Sequence, residues 1–341
     1  MSAVLTPPPV GAPPVGRFSG LLRAETHRFG ARRFIRVLFL LAALGWVLAV
    51  VIGLIQFAAP TPERLAAAEA QRQESIELAN EGREQCLTSV PADAAPEQWC
   101  GPPVVAADFD LDWFLDPAPF SLSQAGAEGA VAFAAAAAVL AFLVSATFVG
   151  AEWSTRSIVA LLFWETRRPR VLGAKIAVVA VASLLIGVLA QLAWLAMAGL
   201  LQAVDGDGVA LPDGFWSELL AAQARAVLLT VFAGLLGFGL TNLVRNTGAT
   251  LGLGFVYFAV VETAIRVLEP AWQPWLLTNN ASALVLPDGL TLYPGSGEFA
   301  GPDQAPVEYV LGNLQAGVFL TVVTAAVLAA GIVLFSRRDL H

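Results

Sequence analysis

The sequence predicts an all-α integral membrane protein with six transmembrane helices, both termini on the cytoplasmic side, an N-terminal amphipathic surface helix and a large extracellular loop. Three observations predict it. The chain is 57% hydrophobic and only 13% charged, about half the charged share of a soluble domain, roughly 25%. The apolar residues gather in six blocks: residues 37–59, 130–150, 176–201, 219–244, 247–268 and 312–335. Each is close to the ~20 residues that cross a hydrocarbon core of about 30 Å. Finally, the basic residues fall on alternate sides of those blocks. In lipid each segment must satisfy its own backbone polar groups, so the blocks read as helices. The short alternating segments of a β-barrel are absent.

The elements follow in order. Residues 1–16 are rich in Pro and Gly and uncharged, which predicts a disordered tail. Residues 17–36 (RFSGLLRAETHRFGARRFIR) place Phe18, Leu21, Leu22 and Phe29 on one side, with Arg28, Arg32 and Arg36 recurring every four residues. This reads as a helix along the inner membrane surface or as a basic flank that orients the first span. The first apolar block exceeds the about 7–15 residues of a signal-peptide core, so it is expected to be retained.

Lys and Arg set the orientation. With the N-terminus inside, 14 basic residues lie in cytoplasmic segments and 5 outside: Arg64, Arg72, Arg83, Arg225 and Arg266. The net charge of −8 is thus an average over a basic inner and an acidic outer side, and does not point to nucleic acid as a partner. Trp153 and Trp164 flank the inner surface, and Trp216, Trp272 and Trp275 the outer one, at headgroup depth. The outer loop, residues 60–128, holds both cysteines, Cys86 and Cys100. An exoplasmic compartment permits their pairing. Closing a loop of about 15 residues would contribute roughly 3 kcal/mol in the chain-entropy account; two unpaired thiols are the alternative. Charge changes at Arg64 and Arg72 in this loop are expected to do little.

Several chemistries find no support. A phosphate-binding P-loop needs Gly-Lys before Ser or Thr, but the only lysine, Lys175, follows Ala174. The two histidines, His27 and His341, lie near the chain ends, unsuited to a His-based zinc site or a Ser-His-Asp triad. No catalytic residue, metal site or cofactor is therefore expected on this chain. Glu262, towards the outer end of the fifth span, is the one ionisable candidate inside a span. Arg266 four residues on makes an ion pair on one helix face the plain reading, and a place in a substrate path the other.

Two segments carry more information. Residues 150–175 (GAEWSTRSIVALLFWETRRPRVLGAK) form the one long cytoplasmic connection. It combines Glu152 just past a span, an apolar run at 158–164 too short to cross the bilayer, then Glu165, Arg167, Arg168 and Arg170 around Pro169. A short helix under the membrane with an exposed charged end fits; an anchor for orientation explains the arginines but not Glu152 or the apolar run. Residues 270–286 (PAWQPWLLTNNASALVL) are apolar and aromatic but polar at Thr278, Asn279 and Asn280. They read as an interfacial or re-entrant element, either an exit gate or a loop resting on the membrane. Gly248 and Gly252 in G-x-x-x-G spacing, Gly234, Gly237 and Gly239, and the Ala-rich stretch 130–141 read as close helix packing.

In this order the segments resemble the membrane subunits of the type-two ABC exporter family, the small bacterial six-span permeases. The resemblance rests on Leu22-Arg23-Ala24-Glu25 before a basic helix and Gly150-Ala151-Glu152-Trp153-Ser154-Thr155 after the second span. It rests also on Trp164-Glu165-Thr166-Arg167-Arg168 with Lys175, and on Trp275-Leu276-Leu277-Thr278-Asn279-Asn280-Ala281 before the last span. It implies a bacterial cytoplasmic-membrane permease, paired with a second copy or a homologous permease, surrounded by lipid and driven by a separate ATPase that carries ATP and Mg. Glu152, Trp164, Glu165, Arg167 and Arg168 would couple to that ATPase. Glu262, Asn279 and Asn280 would lie on a substrate path or gate. The alternative is a non-transporting membrane anchor, an immunity or assembly module presenting the disulfide loop outside.

Overall fold

The computed structural model describes residues 18–91, 95–155, 157, 167–293 and 308–337. Six of its helices are long and apolar enough to cross a membrane. In chain order the elements are α1 (Phe18–Ala31), α2 (Arg33–Gln56), α3 (Pro62–Thr88), α4 (Pro96–Cys100), α5 (Leu122–Ser154), α6 (Arg168–Asp205), α7 (Phe215–Val244), α8 (Thr247–Leu268), α9 (Leu277–Val285), strands β1 (Leu290–Leu292) and β2 (Tyr309–Leu311), and α10 (Asn313–Arg337). The candidate spans are α2, α5, α6, α7, α8 and α10, matching the six apolar blocks. The all-α reading holds, with one small addition: the three-residue strands β1 and β2 pair antiparallel, Leu290 opposite Leu311.

Helix α7 is the centre, packed against α5, α6 and α10. Small residues permit this. A Cβ on Gly237 would lie 2.7 Å from the Phe142 carbonyl oxygen, and one on Gly187 would lie 3.0 Å from the Val227 Cα. On α5, Ala130, Ala134, Ala137 and Ala141 are buried at helical spacing, as the Ala-rich stretch predicts. The G-x-x-x-G pair behaves otherwise: a Cβ at Gly252 would meet nothing within 4 Å. That spacing brings glycines to one face but does not say which face is covered. Helix α8 is the least covered span, with 6% of its most apolar stretch buried against 44% for α7.

The helices outrun the apolar blocks. At 1.5 Å per residue the 38 residues of α6 reach about 57 Å, nearly twice the ~30 Å hydrocarbon core. Both boundaries of the 150–175 connection shift as a result. Helix α5 continues to Ser154 and α6 begins at Arg168, so Glu152 and Lys175 lie on helices. The segment 17–36 is corrected too. Arg32 is extended (φ −73°, ψ 119°) and breaks it, and Arg33–Arg36 belong to the first span.

The acidic loop holds α3, whose 27 residues are polar on average. Thr61 caps its start by accepting from the Arg64 amide, with Pro62 at the first position. Cys86 and Cys100 form a disulfide, Cα atoms 5.8 Å apart. Asn80 adds a two-way bond with the Val104 backbone, both at 2.9 Å. The Arg64 guanidinium donates to the carbonyls of Ala58, Ala59 and Pro117, which makes Arg64 a tie within the loop, whereas the sequence reading took it for a neutral surface charge. A backbone bridge seats the loop on the bundle: the Phe120 amide donates to Asp205 O (2.8 Å) and the Asp207 amide to Phe120 O (3.0 Å).

Candidate functional site

The end of the bundle that carries α1, hereafter the basic end, holds the densest buried charge among the described residues. Lys175, two turns into α6, is 1% exposed. Its Nζ lies 2.6 Å from Glu25 Oε2 on α1 and 2.7 Å from Glu152 Oε2 on α5. Glu25 is fully buried and Glu152 nearly so. Two further cations complete the balance. Arg28 pairs with Glu25 at 3.0 Å from within α1, and Arg32 approaches Glu152 at 3.5 Å from the break between α1 and α2. The Phe148 ring lies beneath, 5.3 Å from both Lys175 Nζ and the Arg32 guanidinium carbon; its face attracts cations. Phe29 of α1 packs edge-on against that ring at 5.2 Å.

This arrangement has a physical logic. A buried charge without a partner costs several kcal/mol, and apolar surroundings strengthen attraction between charges that do meet. One ammonium between two carboxylates satisfies neither alone, and Arg28 and Arg32 supply the remaining positive charge. The consequence is mechanical: α1 is fixed to the ends of α5 and α6 by the shared Nζ and by the Phe29–Phe148 contact. The apolar side expected for α1 is only part of its anchorage, since Phe18 is exposed and its most buried residue is an acid.

The neighbouring ends are knitted to the same place. Gly150 leaves room for Thr247 at the start of α8, where a Cβ would overlap the Thr247 hydroxyl. Trp153 contacts Phe335 of α10 edge-on, and Arg245 lies 4.4 Å above the Trp153 ring. Arg168 donates to the Phe335 and Ser336 carbonyls at the end of α10, where a helix C-terminus favours a cation. Arg167 is exposed at the N-cap of α6. Trp164, Glu165 and the apolar run 158–164 lie outside the described residues.

The chain matches no protein-family model, no curated protein and no solved structure. A functional reading therefore rests on the residues and their geometry.

At the opposite end, Glu262 is fully buried in α8 directly after a π-helical stretch, Val256–Val261. The ion pair with Arg266 is present at 3.3 Å. Beyond it, Glu262 accepts from the Thr278 amide at 3.1 Å and from the Thr278 hydroxyl. The carboxylate thereby caps the positive N-terminal end of α9. Arg266 also donates to Asn279 Oδ1 at 3.2 Å. Asn279 donates to Gln273 O, and Asn280 to Pro274 O and Leu276 O. Of the three residues expected on a path or gate, Glu262 and Asn279 share Arg266, while Asn279 and Asn280 bond to the turn at Pro270–Trp275. Helix α9 folds back against α10 and α7, while Trp272 and Trp275 face outward.

Sequence reasoning singled out Glu152 without its partner and treated Glu25 only as part of a motif. A signal was present. The segments that the basic bias assigns to the inner side carry 14 cationic residues but just four acids, Glu25, Glu152, Glu165 and Asp339. Two of those beside apolar helices require buried partners, and the sole lysine stands at a helix start.

Proposed function

We propose that this chain is the permease subunit of an ABC exporter in a bacterial cytoplasmic membrane. It would move a hydrophobic or amphipathic substrate with energy from a separate ATPase that holds ATP and Mg. The observation that carries this reading is the Glu25–Lys175–Glu152 cluster. A device that receives force at one membrane face needs its surface elements rigidly joined to several spans. Here a surface helix and the ends of two spans meet at one buried ammonium, and the third and sixth spans meet where Arg168 caps α10. The 14-to-5 distribution of basic residues supports the cytoplasm as the location of that end.

The spans offer little for an ion gradient to act on. Glu262 is tied to Arg266 and Thr278, and acts in this reading as a brace between the fifth span and α9. The uncovered face of α8 with Gly248 and Gly252 is where a second copy would pack. The deciding experiment asks whether a P-loop ATPase is encoded beside this chain and co-expresses the two. Co-purification and ATP hydrolysis stimulated by the reconstituted pair are expected. An ATPase that neither binds nor responds would refute the assignment and favour the membrane-anchor alternative.

A further inference from the structure

The joint between α1 and α2 forms a second basic feature, separate from the Lys175 cluster. A cleft of about 450 Å3 opens there, lined by Arg23, Thr26, His27, Gly30, Ala31 and Arg36. Its cations have no carboxylate partner among the described residues. Glu25, the only acid on α1, turns away to Lys175, and Arg28 follows Glu25. Arg36 is held in place by its Nε, which donates to Gly30 O at 3.1 Å, while Arg23 and His27, four residues apart on α1, are exposed.

Below Arg36 the surface changes character. At helical spacing along α2 come Leu40, Leu44, Val47 and Val51, which are 68%, 64%, 50% and 46% exposed. A site with cations at its head and an uncovered apolar stripe below it has the shape of an amphiphile. We propose that the cleft binds the phosphate of an anionic phospholipid, with an acyl chain running along the Leu40–Val51 stripe. The observations favour a lipid over a free anion because the stripe is continuous with the cations. Two guanidiniums match phosphate geometry, and α2 enters the apolar region at the depth where headgroups lie. The inference needs α2 to be a span and does not need the chain to transport anything.

The test uses the full chain, purified in detergent and stripped of lipid, without an ATPase. Phosphatidylglycerol, phosphatidylcholine and inorganic phosphate are titrated separately and bound lipid is read by native mass spectrometry. Phosphatidylglycerol is expected to bind in preference to the other two. The Arg23→Gln, Arg36→Gln double variant should bind it about 25-fold more weakly, from about fivefold for each basic residue near a headgroup. Arg33→Gln is the control for Arg36→Gln alone; each removes one positive charge, but Arg33 lines a different cleft, with Thr147 and Thr247. A twofold change or less is expected for Arg33→Gln, against about fivefold for Arg36→Gln. Equal weakening by the two single variants would reduce the effect to net charge and overturn the proposal. Equal binding of phosphatidylcholine would overturn it too, and saturation by inorganic phosphate would make this a free-anion site. On the unmodified chain, a photoreactive phosphatidylglycerol should label residues 23–51, and labelling elsewhere alone would refute the site without reliance on any variant.

Discussion

Lys175 and Glu25 stand 2.6 Å apart, nitrogen to oxygen, across 150 residues of chain. Neither side chain is more than 1% exposed. Removing the ammonium alone leaves two buried carboxylates without their shared partner. Lys175→Met is expected to destabilise the fold by about 3–5 kcal/mol. Adding Glu25→Gln and Glu152→Gln should recover most of that loss. Thermal unfolding of the single and triple variants in one detergent checks this. A triple variant weaker than the single one would show that the charges stabilise more than their burial costs.

Gly237 and Gly252 separate packing within the chain from packing outside it. Gly237→Ala would press a methyl group on the Phe142 carbonyl and should cost about 1–3 kcal/mol. Gly252→Ala meets nothing and should leave monomer stability unchanged. If a second copy packs on α8, the same substitution weakens self-association. Thermal unfolding paired with analytical ultracentrifugation distinguishes the two effects; a destabilised Gly252→Ala monomer would contradict the fold of α8.

The disulfide closes a loop of 14 residues in sequence separation, and the surrounding loop has little apolar core of its own. Replacing Cys86 and Cys100 by Ser should loosen that loop by roughly 3 kcal/mol. Hydrogen exchange is expected to rise over residues 80–120 while α5 and α7 remain protected. Unchanged exchange in the loop would mean that Asn80 and Arg83, which bond to Val104 and Gly101, hold it unaided.

Orientation is open to direct measurement. On a background lacking both cysteines, single cysteines at Ser2, Ser75 and Ser217 are exposed in intact cells to a membrane-impermeant thiol reagent. Ser75 and Ser217 should label and Ser2 should be protected, as the basic bias requires. The reverse pattern would turn the protein over and move the Lys175 cluster outside.

The six spans were legible because burial in lipid demands about 20 apolar residues in a row, and each block became a helix. What the sequence withheld depends on which faces meet. Helical spacing put Gly248 and Gly252 on one side of α8 but said nothing about a neighbour. Glu152 was visible as an acid at the end of an apolar helix. Its partner was not, because Lys175 reads as one more positive charge in a basic segment until α6 is known to begin at Arg168. The Glu262–Arg266 pair, being local, was readable from i,i+4 spacing. Its ties to Thr278 and Asn279 depend on α9 folding back.

Arg167 and Arg168, expected as a pair that docks an ATPase, have different surroundings. Arg168 donates to the last carbonyls of α10, whereas Arg167 is exposed at the N-cap of α6. Placing Glu at 168 sets a negative charge against the negative end of a helix and should lower stability by about 1 kcal/mol or more. At the start of α6 the dipole favours an acid, which offsets part of what Arg167→Glu takes from the contacts of that side chain, so the change should cost less stability than Arg168→Glu. Arg167→Glu is therefore the milder probe of coupling. If an ATPase docks here, it should weaken that binding or uncouple hydrolysis from transport, with a smaller shift in unfolding temperature than Arg168→Glu. Reversing Arg64 is a poor control, since that side chain holds three backbone carbonyls. Arg72, partly exposed and paired locally with Glu69 at 2.6 Å on α3, serves instead: i,i+3 pairs on a helix surface contribute only about 0.2–0.5 kcal/mol. If Arg167→Glu binds the ATPase and transports as Arg72→Glu does, force does not enter through the start of α6.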